Sequence, residues 1–216
     1  MDLWTIQETI CDVKSDLLIE TGSNRAGSAM FYAHLFDVLG NGRVLTVDLE
    51  KLHNLQHERI EFLIGTSVSD EIASRVKSTV GATTGPIMVI LDSDHSRDHV
   101  RKELELYSPF VTLDSFVLVQ DGSTDSIPVL GNAHPPGPLY ALRDFLETHH
   151  KFEIDRERCH KVPYHTTYGR VAEENFGLIV TILGSFPTSV HESQTHYQVF
   201  PKVCLVALCP QSRFAR

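Results

Sequence analysis

Val89-Ile90-Leu91-Asp92-Ser93-Asp94-His95-Ser96 is an apolar run that breaks off into two carboxylates and an imidazole. Ile87 to Leu91 reads as a buried strand, and in an open α/β sheet ligands sit in the crevice beyond the carboxyl ends of such strands. Asp92, Asp94 and His95 would then face that crevice. The competing reading is a polar turn in which Ser96 caps the next helix with acids nearby.

Working outward from this stretch, the chain alternates strand and helix on both sides. Upstream, Leu3, Ile6, Ile10 and Val13 recur at helical spacing and predict an amphipathic helix over residues 2–14, followed by a strand from Asp16 to Glu20. A small-residue loop, Thr21 to Ser28, runs into a nearly all-apolar helix, Ala29 to Leu39, which Gly40-Asn41-Gly42 ends. Arg43 to Asp48 reads as a second strand and Arg59 to Gly65 as a third. Ser69 then caps a helix with Asp70 and Glu71 in its first turn and Ile72, Val76 and Val80 on one face. The fourth strand is Ile87 to Asp92. Downstream, Val100, Leu104 and Tyr107 share one side of a helix, and Phe116 to Asp121 is a fifth strand that again ends in polar groups. This alternation predicts an α/β fold, a doubly wound and mostly parallel sheet with helices on both faces.

Ser123 to Pro138 is broken by Pro128, Gly131, Pro135, Pro136, Gly137 and Pro138, and is expected to be a mobile lid over the strand ends. Leu139 to Thr148 reads as a short helix, and Lys151 to Arg170 as one or two closing strands. From Val171 to Pro201 there is no Lys or Arg, which looks foreign to what precedes it. The expected division is therefore a domain over 1–171 and an atypical tail over 172–216, which is either an extra strand with a poorly ordered end or sequence outside the fold.

The 216 residues, 42% apolar and 22% charged, suffice for one domain with a sizeable core. A formal net charge of -9 and the lack of a Lys/Arg cluster argue against a nucleic-acid partner, since phosphate binding needs a basic face. Cys11, Cys159, Cys204 and Cys209 form no CxxC pair and read as free thiols in a reducing compartment. Acids stand near the N-terminus where a signal peptide would carry basic residues, and Phe176 to Phe186, the longest apolar run, falls well short of a membrane span. A cytoplasmic protein with no membrane partner is expected. The helix at 2–14 could pair with a second subunit in a homo-oligomer.

Glu20-Thr21-Gly22-Ser23-Asn24-Arg25-Ala26-Gly27-Ser28 is a ligand-type loop, with glycines that let the backbone approach and a helix N-terminus that offers free N–H groups. Its spacing is not G-x-G-x-x-G, and Glu20 would repel phosphate but suit a cationic amino-acid group. Asp48 ends the second strand where a carboxylate can accept from both ribose hydroxyls, or it is merely a strand-end turn residue. Gly65-Thr66-Ser67 could flank an adenine. Glu20, Gly22, Asp48 and Ser67 together describe an adenosine pocket without phosphates, which points to S-adenosylmethionine.

The stretches D-L-W-T-I-Q-E, D-L-L-I-E-T-G-S-N-R-A-G-S-A-M-F-Y-A, G-N-G-R-V-L-T-V-D, L-D-S-D-H-S-R-D-H-V-R-K-E-L-E-L-Y-S-P-F-V and P-G-P-L-Y-A-L-R-D-F-L extend this reading. Together they resemble the cephalosporin hydroxylase/rhamnosyl O-methyltransferase family, over roughly residues 2–171. The resemblance implies a class I S-adenosylmethionine fold, with relatives that include Mg²⁺-using sugar O-methyltransferases. It also implies that Asp92 and Asp121 hold the metal and that His95 is the base. The family's Glu beside the last acid is Gln120 here, a carbonyl donor without the charge a hard cation prefers. The chain begins where the family's first helix begins, so no upstream arm is expected, and the tail after Val171 has no counterpart.

The expected function is S-adenosylmethionine-dependent O-methyl transfer to a hydroxyl of a sugar or glycosylated small molecule, with a divalent metal assisting. Two alternatives stand beside it: a catalytically degenerate S-adenosylmethionine-binding module, and an oxidative tailoring protein of the cephalosporin hydroxylase kind. Asp94 would orient His95 or sit in solvent. His99 could line the same face as His95 or be a surface helix residue.

Overall fold

The computed structural model describes residues 2–122, 125, 136–160 and 178–182. In chain order the elements are α1 (Asp2–Val13), β1 (Leu17–Thr21), α2 (Gly27–Leu39), β2 (Arg43–Asp48), β3 (Ile60–Ile64), α3 (Asp70–Gly81), β4 (Ile87–Leu91), α4 (Arg97–Tyr107), β5 (Phe116–Val119), α5 (Pro138–Thr148), β6 (Phe152–Ile154), α6 (Arg156–His160) and β7 (Leu178–Ile182). They build a seven-stranded sheet in the order β3-β2-β1-β4-β5-β7-β6.

β1 and β4 lie side by side at the centre and are buried at every position, as strands covered on both faces should be; β4 is apolar throughout and β1 as far as Ile19. β2 and β3 extend the sheet in parallel on one side and β5 on the other. The chain leaves β1 in one direction and returns to β4 on its other side, so the strand order reverses between these two strands. Ligand clefts form above such a reversal.

The helices are set by local signals that the sequence carries. Ser69 accepts from the Ile72 N–H and so caps α3, whose Ile72 and Val76 are buried. Gly40 ends α2 in the left-handed region, φ 77°, and its N–H returns to the carbonyls of Phe36 and Asp37. α4 buries Val100, Leu104 and Tyr107 as its periodicity predicts, and Glu103 with them. On α1, Ile6 and Ile10 are buried, but Leu3 is 46% and Trp4 67% exposed. The expected apolar face thus begins one turn later than Leu3.

Two expectations for the C-terminal part become specific. Only Phe152–Ile154 forms a strand in the described portion of Lys151 to Arg170. Asp155 then stops it, because its carboxylate accepts from the Arg158 N–H at 2.9 Å and its carbonyl from the Cys159 N–H at 3.0 Å, turning the chain into α6. Residues 161–170 lie outside the described residues. Leu178–Ile182, beyond the boundary expected at 171, is a strand of the sheet: it runs antiparallel between β5 and β6, with Val119 opposite Leu178 and Ile154 opposite Val180. The rest of the tail, 172–177 and 183–216, lies outside the described residues, as does most of the expected lid. Of that lid, Asp125 is described: its two carboxylate oxygens accept from the N–H groups of Gly137 and Leu139, each at 2.8 Å, and cap α5. No described helix is long and apolar enough to cross a membrane.

Candidate active site

The carboxyl ends of β1, β2 and β4 are in register, with Thr21 opposite Val47 on one side and Leu91 on the other. Backbone bonds carry the ladder into the loops: the Gly22 N–H donates to the Val47 carbonyl at 2.8 Å, and the Asp92 N–H to the Thr21 carbonyl at 3.0 Å. Gly22 lies at φ 89°, and a Cβ there would collide with the Asp92 carbonyl oxygen. A side chain at this position is excluded on both counts. Where the loops part, a cleft of about 630 Å³ opens, within the range of small-molecule sites.

Of the residues expected at a cofactor, Gly22, Asp48, Ser67 and Asp92 line this cleft. The others support it from below. Glu20 is 1% exposed; its carboxylate accepts from the Thr46 hydroxyl at 2.6 Å and bonds the Ser28 side chain. Burial pushes it up to about 7, against those two hydrogen bonds, with the charges of Asp92 and Asp48 adding to the rise. Glu20 therefore braces the loop instead of meeting a ligand's cationic group directly. Thr21 is buried and receives the Asp92 N–H, and the Ser23 carbonyl closes the turn by accepting from Ala26 N–H at 2.6 Å. Gly27 opens α2, and a Cβ there would meet no protein atom, so the close-approach argument applies to Gly22 alone. Asp48 gives one carboxylate oxygen to the Asn24 N–H at 2.6 Å, which draws the β1–α2 loop over the end of β2.

His95 stands between two carboxylates. Its Nε2 is 3.4 Å from Asp92 Oδ1, and its Nδ1 is 3.5 Å from Asp121 Oδ2. The hydrogen bond its ring donates to Asp92 raises the His95 pKa above its ordinary value, burial opposes this, and the charges of Asp121, Asp92 and Asp94 reinforce it. Asp121 adopts a left-handed backbone, φ 56°, in the turn that follows β5, and the Gln120 N–H there donates to the Leu91 carbonyl at 2.9 Å. One donor atom from each of Asp92, His95 and Asp121 lies within 4.8 Å of the others. Opposed ligands of Mg²⁺ stand about 4.2 Å apart at its usual bond lengths, so small side-chain rotations would bring the two carboxylates to a cation. Asp92 and Asp121 supply the oxygen donors a hard divalent metal takes, with the His95 imidazole beside them.

Asp94 plays the turn part. Its carboxylate accepts from the Ser96 N–H at 2.7 Å, and the Ser96 hydrogen bonds hold it below the ordinary aspartate range. Ser96 occupies the N-cap position of α4, but its side chain makes no capping bond. The turn and the site are thus one structure: Asp94 shapes the bend that presents His95.

His99 is the residue whose role spacing alone left open. It lines the cleft, and its Nε2 is 3.0 Å from Ser67 Oγ and 3.2 Å from Ser93 Oγ. Glu103, one turn along α4, is fully buried and raises the His99 pKa. Tyr107, a further turn on, donates its hydroxyl to the Ser67 carbonyl at 2.7 Å. The i, i+4 pair His99–Glu103 was visible as a spacing. The serines that complete it come from the ends of β3 and β4 and were not.

A Rossmann-like sheet with this strand order and a ligand cleft at its reversal defines the class I methyltransferase fold. The chain belongs to the Rhamnosyl O-methyltransferase/CmcI family, whose pattern it matches over residues 1–169. It is 31% identical over 166 residues to the rhamnosyl O-methyltransferase of Mycobacterium tuberculosis H37Rv, covering 72% of this chain and 66% of that protein. With the Mycobacterium leprae rhamnosyl O-methyltransferase it shares 32% over 148 residues, or 67% of this chain and 64% of that one. The chain thus spans just under two thirds of these relatives' length. Among solved structures, MycE from the mycinamycin biosynthetic pathway, in complex with Mg, SAH and mycinamycin VI, superposes with a TM-score of 0.57 at 18% identity, covering 87% of this chain and 51% of that one. A CmcI structure described with Mg and SAM superposes with a TM-score of 0.57 at 11% identity, covering 84% and 71%. At such identities the likeness is one of fold.

Proposed function

We propose that the chain is an S-adenosylmethionine-dependent O-methyltransferase that acts on a hydroxyl of a sugar or glycosylated small molecule. The observation that carries this reading is the joining, in one cleft, of an adenosyl-type wall (Gly22, Asp48, Ser67) to the Asp92–His95–Asp121 cluster. The names of the mycobacterial relatives support a sugar-bearing acceptor.

Asp48 has carboxylate lone pairs left beside its Asn24 bond to accept from the ribose hydroxyls. Gly22 lets the loop backbone lie against Asp92, which brings the cofactor's sulfonium end towards the polar cluster. His95, placed between Asp92 and Asp121, takes the acceptor's O–H proton on a ring nitrogen. The acceptor oxygen forms a bond to the methyl carbon as the S–CH₃ bond breaks, and that electron pair stays on sulfur, leaving S-adenosylhomocysteine. Asp92 and Asp121, with the Gln120 side-chain carbonyl as a neutral third donor, would hold a divalent cation that lowers the acceptor hydroxyl's pKa.

The test is transfer of a labelled methyl group to a panel of sugar and phenol acceptors, with Mg²⁺ and with chelator. Protein that binds S-adenosylmethionine and turns over no acceptor would defeat the reading. A second reading, a cofactor-binding module without turnover, is favoured by Gln120, which removes one negative charge from the metal position. It predicts thermal stabilisation by S-adenosylhomocysteine with no metal effect, and His95-dependent turnover would exclude it. The same proposal places the protein in the cytoplasm. The exposed Leu3 and Trp4 on α1 support its pairing with a second copy.

A further inference from the structure

A second polar cluster, separate from the Asp92–His95–Asp121 group, is built on α4 and opens on the cleft. Glu103 is 0% exposed; its Oε1 accepts from the Ser93 hydroxyl at 2.7 Å and lies 3.5 Å from His99 Nε2, while its Oε2 has no hydrogen-bond partner. A carboxylate buried in this way is costly, and an apolar residue at the same position of α4 would stabilise the helix packing at no such cost. What the arrangement achieves is to fix one imidazole. Nε2 of His99 is engaged by Ser67, Ser93 and Glu103, so the ring is held from the β3 end, the β4 end and its own helix. Nδ1 has no hydrogen-bond partner among the described residues, and the side chain keeps 20% of its surface exposed where it lines the cleft.

We propose that Glu103 and His99 form a specificity pair that reads the purine of the adenosyl ligand: Glu103 positions the imidazole, and His99 offers its second ring N–H to a purine ring nitrogen. This rests on the S-adenosylmethionine reading above. If Asp48 takes the ribose hydroxyls and the sulfonium must reach Asp92 and His95, the base leaves the ribose the other way, towards Leu49, Thr66, Ser67 and His99. A purine there presents ring nitrogens that only accept hydrogen bonds. A fixed N–H donor matches them and rejects a ring in which the nitrogen is replaced by C–H.

The experiment is calorimetric titration of the full chain with S-adenosylhomocysteine and with its 1-deaza, 3-deaza and 7-deaza analogues, repeated with His99→Leu, His99→Asn and Glu103→Gln. The wild type should bind one of the three analogues about 10- to 100-fold more weakly than the parent, as loss of a hydrogen bond involving a charged or polarised donor predicts. His99→Leu should bind parent and analogue within about 2-fold of each other, and His99→Asn, which retains an N–H donor, should recover part of the discrimination. Glu103→Gln should shrink the discrimination while leaving the other two analogues unaffected; a merely structural lesion would weaken all four ligands together. A wild type indifferent to all three analogues overturns the pair, as does His99→Leu retaining the penalty. Folded wild type that fails to bind S-adenosylhomocysteine at all overturns instead the reading on which the pair rests.

Discussion

Replacing Glu20 by Gln should make the protein more stable at alkaline pH and change how its stability depends on pH. Glu20 has 1% of its surface exposed, between Thr46 and Ser28, with Asp48 and Asp92 as like-charged neighbours. Burial is the largest cause of its rise from the ordinary 4.5 to about 7. Because the folded state holds this proton more tightly than the unfolded chain, the site's stabilisation is fully present below pH 4.5 and is lost as pH rises through about 7. A shift of that size corresponds to roughly 3 kcal/mol across the window. Gln keeps an oxygen to accept the Thr46 hydroxyl and has no proton to lose. The stability of Glu20→Gln relative to wild type, measured by urea unfolding between pH 4.5 and 9, should therefore climb in the variant's favour by roughly 3 kcal/mol, most steeply midway between the ordinary 4.5 and about 7. Taking the difference removes every other titrating group that the substitution leaves alone. A pH-independent difference, or a variant that loses ground above pH 7, would refute the placement of this carboxyl as a buried, proton-holding brace.

Gly22→Ala forces a side chain into a left-handed backbone, worth about 1–2 kcal/mol, and into the Asp92 carbonyl. Denaturant unfolding should show a loss of at least about 2 kcal/mol, and S-adenosylhomocysteine binding should fall with it. His95→Ala should leave S-adenosylhomocysteine affinity within a few-fold while methyl transfer drops by about 10² to 10⁴. With chelator present, so that Asp92 and Asp121 keep their charge, the His95 ring followed by NMR should titrate above the ordinary 6.5. Asp92→Asn removes the largest cause of that rise, so under the same conditions the imidazole of the variant should titrate at lower pH. Tyr107→Phe strands the buried Ser67 carbonyl that its hydroxyl serves, at a cost of about 1–3 kcal/mol in thermal or denaturant unfolding, with the fold retained.

What could be read from the residues alone divides along a physical line. β4 was legible because a strand buried on both faces is an unbroken apolar run that ends abruptly, β1 because Leu17-Leu18-Ile19 forms such a run ahead of Glu20, and α3 because Ser69, Asp70 and Glu71 announce its first turn. That Gly22, Asp48, Asp92, His95 and Asp121 gather at one end of the sheet followed from the fold, since a parallel sheet aligns the carboxyl ends of its strands without further instruction; the metal and base roles of Asp92, Asp121 and His95 came from the family resemblance instead. What escaped is what depends on a partner distant in sequence. For Leu178–Ile182 an extra strand and sequence outside the fold both stayed open, because its identity as a strand comes from lying between β5 and β6. Glu20 looked like a ligand contact because its strand-end position is correct. Whether its carboxyl points into the cleft or beneath it is decided by Thr46 on the neighbouring strand, which hydrogen-bonds it in the interior. His99 looked like surface because neither Ser67 nor Ser93 is near it on α4, and because a glutamate one turn on normally belongs to a solvated face. Glu103 reverses that expectation by being buried. A buried carboxylate at i+4 from a histidine, on the helix that follows β4, is a sign that a residue is being held in place for something that enters the cleft.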